Sequence, residues 1–349
     1  MDKGLSPGDP RVASSIVMVS PEHFCFNPEA AESNAFANRE ETNKNLVLGE
    51  FKKMVEVLKG VGIEVFVLPS PGCDAPDAVF PNNWFSTHRT KKGGQEGEEV
   101  LRLVLYPMLN PNRSIERRNT EKLKEILLSK DLGRSKLEVA DCGGKFEEKS
   151  VAVEGTGVLI FDRFGVSSSQ SQTPLCRCFC VENGPRADPE TVRRILRESG
   201  VMPNITSEKK EGEEDPFVFF SAADEKGVAI YHTNVMMAIG SDFAVVCEES
   251  VTNPHQLQNL RKKLFSCSTS REIVNISHSQ VKQMCGNVLE LRNTEGQLFV
   301  LMSGTAFRAF TQEQKEVFQR GGREIVTVNI PTIERIGGGS ARCMVAEIF

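Results

Sequence analysis

One unit recurs along this 349-residue chain and restricts its fold more than any single motif does. An amphipathic helical stretch is followed by a glycine or polar break, and then by a short β-branched stretch leading into a polar loop. The first copy is LGEFKKMVEVLKGVGIEVFVLP, whose helix should stop near Gly60. RNTEKLKEILLSKDLGRSKLEVADC, PETVRRILRESGVMPNIT, NLRKKLFSCSTSREIVNIS and TQEQKEVFQRGGREIVTVNIP begin later copies. A spacing of roughly 50 to 70 residues is too long for helical solenoids and suits one helix plus about three short strands. Five such units predict an α/β fold in which small sheets surround a shared centre, with helices outside. The expected organisation is a loose tail over residues 1–12 and one domain over 13–349.

Composition narrows the partners. The formal net charge is -5 with acidic and basic residues intermixed, which gives no footprint for nucleic acid or an anionic membrane. No apolar run approaches the ~20 residues of a membrane span. A small-molecule partner is expected, and periodicity leaves a homodimer open. Ten cysteines are scattered without a disulfide framework, and the first residues lack an apolar signal core, so a reducing, cytoplasmic setting is expected. Cys176, Cys178 and Cys180 alternate like strand residues and lack zinc-ligand spacing, so neither metal nor cofactor is expected. RTKKGGQEGEEV and TSEKKEGEEDP read as solvated loops.

Five polar segments each open a further strand: DAVFPNNWFS, VEGTGVLIFD, YHTNVMMAIG, CGNVLELR and GGGSARCMV. A common centre would gather Asp77, Asn82, Asn83, Glu154, His232, Asn234, Asn287 and Cys343 from distant parts of the chain. Gly337, Gly338 and Gly339 would weaken a strand that served packing alone, and are expected to let backbone bend closely around a ligand.

DAVFPNNW, EGTG, YHTNV and GGGSARC resemble the signature segments of the pentein, or guanidino-group-modifying, superfamily. FCFNPEAAESNAF, LYPMLNPNRSIERR and IPTIERIGGGSARCMVAEI are most similar to its citrulline-utilisation hydrolase branch. The resemblance implies a five-bladed α/β propeller with pseudo-fivefold symmetry. It also implies a nucleophile at Cys343, a general acid and base at His232, and an orienting carboxylate at Glu154.

The chemistry is independent of the name. A thiolate is the reactive form of cysteine, an adjacent histidine can activate it and protonate a leaving amine, and a carboxylate fixes the imidazole. Alone, Cys343 reads as a small buried hydrophobe and His232 as a core or surface histidine; the partner motifs reverse that reading. Arg113 and Arg117, four apart, suit either a solvated helix face or a fork on a substrate carboxylate, and Arg342 competes for the second task. Asn27 and Asn287 fit structural turns as well as a site.

One departure bears on substrate. In deiminases and dimethylarginine hydrolases an Asp stands six residues after the first Asp of the D-x-V-F segment, and another stands two after the histidine. Here Asn83 and Asn234 occupy those places. An amide supplies both donor and acceptor and matches a neutral ureido group, whereas a desolvated guanidinium would lose two charged partners. The expected reaction is therefore citrulline to ornithine, ammonia and carbon dioxide. Dihydrolase, deiminase or amidinotransferase action on an arginine derivative is the enzymatic alternative, and a binding protein that kept the hub without turnover is the other.

Overall fold

The computed structural model describes residues 11–92, 98–131, 135–164, 176–202, 215–266 and 271–349. Residues 1–10 of the expected tail lie outside that set. Val12 is buried, and its carbonyl accepts from Arg292 Nε at 2.7 Å.

The described residues form five three-stranded sheets of one design. In chain order the strands are β1 (Ser15–Val19), β2 (Glu64–Leu68), β3 (Phe85–Lys92), β4 (Glu98–Leu105), β5 (Lys136–Asp141), β6 (Ile160–Asp162), β7 (Arg177–Val181) and β8 (Phe217–Phe220). They continue as β9 (Met237–Ile239), β10 (Phe243–Val246), β11 (Glu272–Asn275), β12 (Leu289–Arg292), β13 (Leu298–Ser303), β14 (Glu324–Val328) and β15 (Ala346–Ile348). In each sheet the middle strand pairs antiparallel with one neighbour and parallel with the other, as β4 does with β3 and β5. The fifth sheet joins distant ends of the chain: β15 pairs antiparallel with β1, setting Ser15 opposite Ile348, and β1 runs parallel to β2.

Parallel pairing needs a crossover, and the recurring helices provide it. Lys44–Gly60, Thr120–Asp131, Pro189–Glu198, Pro254–Phe265 and Gln312–Gln319 each lead to the parallel edge strand of a sheet. Their starts are legible: Asn43, Asp188 and Asn253 cap backbone N–H groups, and Thr311 with Gln314 forms a capping box. Middle strands β1, β7 and β10 are buried at every residue, which explains their unbroken apolar or cysteine-bearing sequences. Antiparallel edge strands of different sheets touch, β15 beside β3 and β9 between β6 and β12.

Two expectations need correction in part. The described parallel edge strand of the third unit is β8; of the stretch expected after Gly200, Val201 and Met202 are in no strand and the rest lies outside the described residues. Within RTKKGGQEGEEV, residues 89–92 and 98–100 belong to β3 and β4, in a register that sets Lys91 opposite Glu99, and 93–97 lie outside the described residues. Charged residues at an exposed hairpin end are compatible with strand, and opposite charges across the ladder favour it. Cys178 and Cys180 lie buried in β7, and both thiols are free. No helix among the described residues is long and apolar enough to cross a membrane.

Candidate active site

The candidate residues occupy equivalent places in the five units. Asn82 and Asn83 lie in the single turn Pro81–Asn83 before β3, and Glu154 precedes the turn Gly155–Val158 before β6. His232 precedes the turn Thr233–Val235 before β9, Asn287 lies just before β12, and Cys343 just before β15. Every one of these side chains is buried.

Glu154 is the electrostatic centre. Its Oε2 accepts from His232 Nε2 at 2.8 Å and Arg186 Nη1 at 2.9 Å, with Arg113 Nη1 at 3.6 Å, while Oε1 accepts the Leu109 N–H at 3.2 Å. Burial alone would push this carboxyl up; Arg186, the His232 hydrogen bond and Arg113 outweigh it and hold Glu154 well below the usual carboxylate range. An ionised carboxylate only accepts, so His232 Nε2 carries the hydrogen and Nδ1 keeps its lone pair. Burial lowers His232 to about 4; Glu154 opposes that shift, and Arg186 and Arg113 add to it.

Cys343 Sγ accepts from two amides, Asn234 Nδ2 at 3.3 Å and Asn287 Nδ2 at 3.1 Å. The Asn287 amide is locked in that sense, because its Oδ1 accepts the backbone N–H groups of Arg342 and Cys343 at 2.9 and 3.3 Å. Asn287 is thus part of the thiol's surroundings and more than a turn residue. Asn83 is oriented likewise: Arg113, which can only donate, holds its Oδ1 at 3.3 Å, leaving Nδ2 buried and without a partner. Asn234 Oδ1 and both amide atoms of Asn82 are also buried and unpartnered. Buried polar atoms in that state call for a ligand or water.

Tyr231 lies beside His232, and Gly157 packs against both His232 and Asn83. The Tyr231 ring lies 4.6 Å from that of His232, and its phenol is raised chiefly by burial; Arg186 opposes this, while Cys343, Glu154 and Asp77 contribute further. At Gly157 an added Cβ would lie 2.2 Å from Asn83 Nδ2 and 3.0 Å from His232 Cε1 and Nδ1. Gly157→Ala should therefore displace both side chains and lower kcat/KM on the order of 10²-fold. An alanine variant with unchanged kcat/KM would mean that neither position matters.

Asp77 borders this group. Its Oδ2 accepts from Asn27 Nδ2 at 2.8 Å, and burial pushes its pKa up although Arg113 and Asn27 pull the other way. Asn27 also caps the turn Pro28–Ala31. Arg113 is no solvated helix residue: it is buried, with Nε 2.7 Å from Glu116 Oε1. Arg117 instead grips Glu147 with two nitrogens, each at 2.6 Å, and Arg342 donates to Glu347 at 2.9 Å and to the Val345 carbonyl. These engagements separate their guanidinium groups from the Glu154 cluster. Arg342 and Glu347 line a cavity of about 50 Å³ that Asn234 also borders.

The terminal glycines do their close packing against protein. Gly338 has φ +67°, and a Cβ there would lie 2.7 Å from Ala37 N and from Asn34; Gly337 and Gly339 lie against the Phe80 ring. Asn34 is tied in by its hydrogen bonds with the Gly337 carbonyl and the Tyr231 hydroxyl. Arg186 escaped the sequence reading. It is buried, pairs with Glu154, donates to Ser33 and Ala30, and lies 4.8 Å over Tyr231, yet a lone arginine before a helix cap carries no signal of this.

Comparison with known proteins gives the family. The model described as N,N dimethylarginine dimethylhydrolase, eukaryotic, matches residues 20–184 and 202–349. Among solved structures, the substrate-bound mutant N-terminal domain of ArgZ, an arginine dihydrolase from the ornithine-ammonia cycle in cyanobacteria, is 14% identical with a TM-score of 0.65. That match covers 96% of this chain and 97% of the domain. Against the longer apo ArgZ chain, 96% of this chain covers only 40% of the other, at 14% identity and TM-score 0.63. A dimethylarginine dimethylaminohydrolase adduct with S-methyl-L-thiocitrulline is 12% identical, TM-score 0.56, covering 96% of this chain and 99% of that one. At such identities these likenesses concern the fold. No curated protein matches the chain. The motifs, the small α/β sheets and the extent of the family match together place the chain in the pentein superfamily of guanidino-group-modifying enzymes, where it belongs to the N,N-dimethylarginine dimethylhydrolase family of hydrolases.

Proposed function

We propose that this protein hydrolyses a carbon–nitrogen bond of an arginine-type guanidino compound, in the centre of a single five-bladed α/β propeller. The observation that carries the substrate class is the charge inventory. Among the described residues, Asp77, Glu116 and Glu154 are buried beside the guanidiniums of Arg113 and Arg186. Asp77 and Glu116 are both pushed up by burial despite Arg113. A bound cation would favour the ionised form of these carboxyls, which a neutral ureido group cannot do.

In the proposed reaction Cys343 adds to the guanidinium carbon as a thiolate, with Asn234 and Asn287 donating to its sulfur. A thiol proton delivered to His232 Nδ1 passes to the departing ammonia or alkylamine, whose C–N bond breaks. Water then gives a proton to Nδ1 and attacks the amidino thioester, releasing the ureido product and restoring the thiol. His232 is neutral near pH 7 because burial lowers it to about 4. Its Nδ1 can therefore take a proton during the reaction.

A second reading has its own observation. Asn83 presents a locked, unpartnered donor, which suits the oxygen of a ureido group. That favours either citrulline as substrate or a dihydrolase that processes the ureido intermediate as well. Incubation with arginine, N,N-dimethylarginine, agmatine, succinylarginine and citrulline, with ammonia, alkylamine and amino acid products measured, decides between them. Turnover of a guanidino compound is expected, and one ammonia or two per substrate separates the single from the double hydrolysis. Turnover of citrulline with none of the guanidino compounds would sink the main reading.

A further inference from the structure

We propose that Cys247, Glu249 and His278 form a zinc site in the fourth sheet unit, apart from the hub. One ligand atom from each lies within 4.8 Å of the other two. Cys247 and Glu249 follow β10, and His278 opens the short helix His278–Lys282 after β11. Sites of this kind draw their ligands from separate loops on a rigid sheet, and β10 and β11 are adjacent parallel strands.

The histidine supplies the second observation. Its Nε2 is buried with no partner, and its Nδ1 stands 3.7 Å from Glu249 Oε1, too far for a hydrogen bond. An imidazole with a buried, unpartnered Nε2, beside a thiol and a carboxylate, fits a metal ligand set. The other two ligands are already anchored. Ser250 Oγ donates to Cys247 Sγ at 3.1 Å, and the backbone N–H of His278 donates to Glu249 Oε1. These contacts are the outer partners that orient metal ligands.

Thiolate, imidazole and carboxylate together select zinc over magnesium or calcium, which prefer oxygen alone. A tetrahedral ion sets its ligand atoms roughly 3.5 Å apart, so the trio must contract by about 1 Å, with water as fourth ligand. Binding releases the Cys247 thiol proton. The ion would clamp the connection after β10 to the segment that continues through Cys285 and Gly286 to Asn287.

Cobalt(II) is the probe, added to the full-length Cys343→Ser protein so that the hub thiol cannot contribute. A thiolate-to-cobalt charge-transfer band at one equivalent is expected, displaced by zinc. It should be lost in Cys247→Ala and in His278→Gln. Zinc at about 100 times its Kd should raise Tm on the order of 4 °C in Cys343→Ser, but not in the two ligand variants made on that background. Should Cys247→Ala fail to fold, His278→Gln, at a partly exposed position, decides alone. Absence of the band in Cys343→Ser, or a band undiminished by His278→Gln, overturns the site.

Discussion

Cys343→Ser should lower kcat by about 10⁵-fold on whichever guanidino substrate the wild type turns over, with little change in Tm. Sulfur and oxygen differ little in size, and the backbone here is fixed independently of the side chain: the Cys343 N–H donates to Asn287 Oδ1 and to the Ser340 carbonyl. What changes is ionisation. A serine hydroxyl is a far weaker acid than a thiol, and His232, lowered to about 4 by burial, is too weak a base to compensate. Substrate should still bind, so calorimetry on the variant ought to give a Kd within about tenfold of the wild-type value. A variant keeping more than about one hundredth of wild-type kcat would remove Cys343 from the nucleophile's role.

Glu154→Gln is expected to cost about 3–5 kcal/mol in urea unfolding and to reduce kcat by about 10³-fold. The fully buried carboxylate faces Arg186 at 2.9 Å and Arg113 at 3.6 Å. Arg113 keeps Glu116, whereas Arg186 would keep only Ser33, the Ala30 carbonyl and the face of Tyr231. Glu154→Gln/Arg186→Met should recover part of the loss, because no unpaired cation remains buried. A single variant within about 0.5 kcal/mol of wild type would contradict the electrostatic account.

The pH dependence has a definite sign. His232 falls from its ordinary 6.5 to about 4 on folding, so the unfolded chain binds more protons between those values, and stability is lost as pH falls through that window. Glu154, held below its ordinary 4.5, contributes stability above that pH and loses it on further acidification. These two groups weaken the protein in two stages below pH 6.5, whereas Glu116, raised to about 8 by burial, works the other way as pH falls from 8 to 4.5; Glu154→Gln should lack the second stage. Urea midpoints of the wild type and His232→Gln, measured from pH 7 to 3, isolate the histidine: the wild type should lose more stability than the variant between 6.5 and 4, and parallel curves would refute the assignment.

The repeated units were readable because amphipathic period, capping residues and β-branched strands agree locally, as in Asn43 before Lys44–Gly60 or the Thr311–Gln314 box. Glu154, His232 and Cys343 were legible for another reason: each stands shortly before the antiparallel edge strand of its sheet, at an equivalent point of its unit. The sense of each amide was hidden. Asn287 donates to the thiol only because two backbone N–H groups claim its oxygen, and Asn83 presents a donor only because Arg113 claims its own. Those are contacts across the fold that no local pattern encodes. The same holds for Arg113 and Arg117, four apart in sequence, of which one is buried on Glu154 and the other held by Glu147.

Pairing of β15 with β1 also sets an order of events during synthesis. Ser15 must wait for Ile348 before the first sheet gains its third strand, and Cys343 lies just ahead of that closing segment. A contact between residues so far apart in sequence carries a large loop-closure cost and tends to form late and slowly. On a ribosome, which adds residues from the N-terminus onward, the β1–β2 pair must persist with an open edge until β15 emerges. Cys343 therefore meets the Asn234 and Asn287 amides only after residues far apart in the chain have all been made, and a nascent chain that stalls before residue 343 lacks that arrangement.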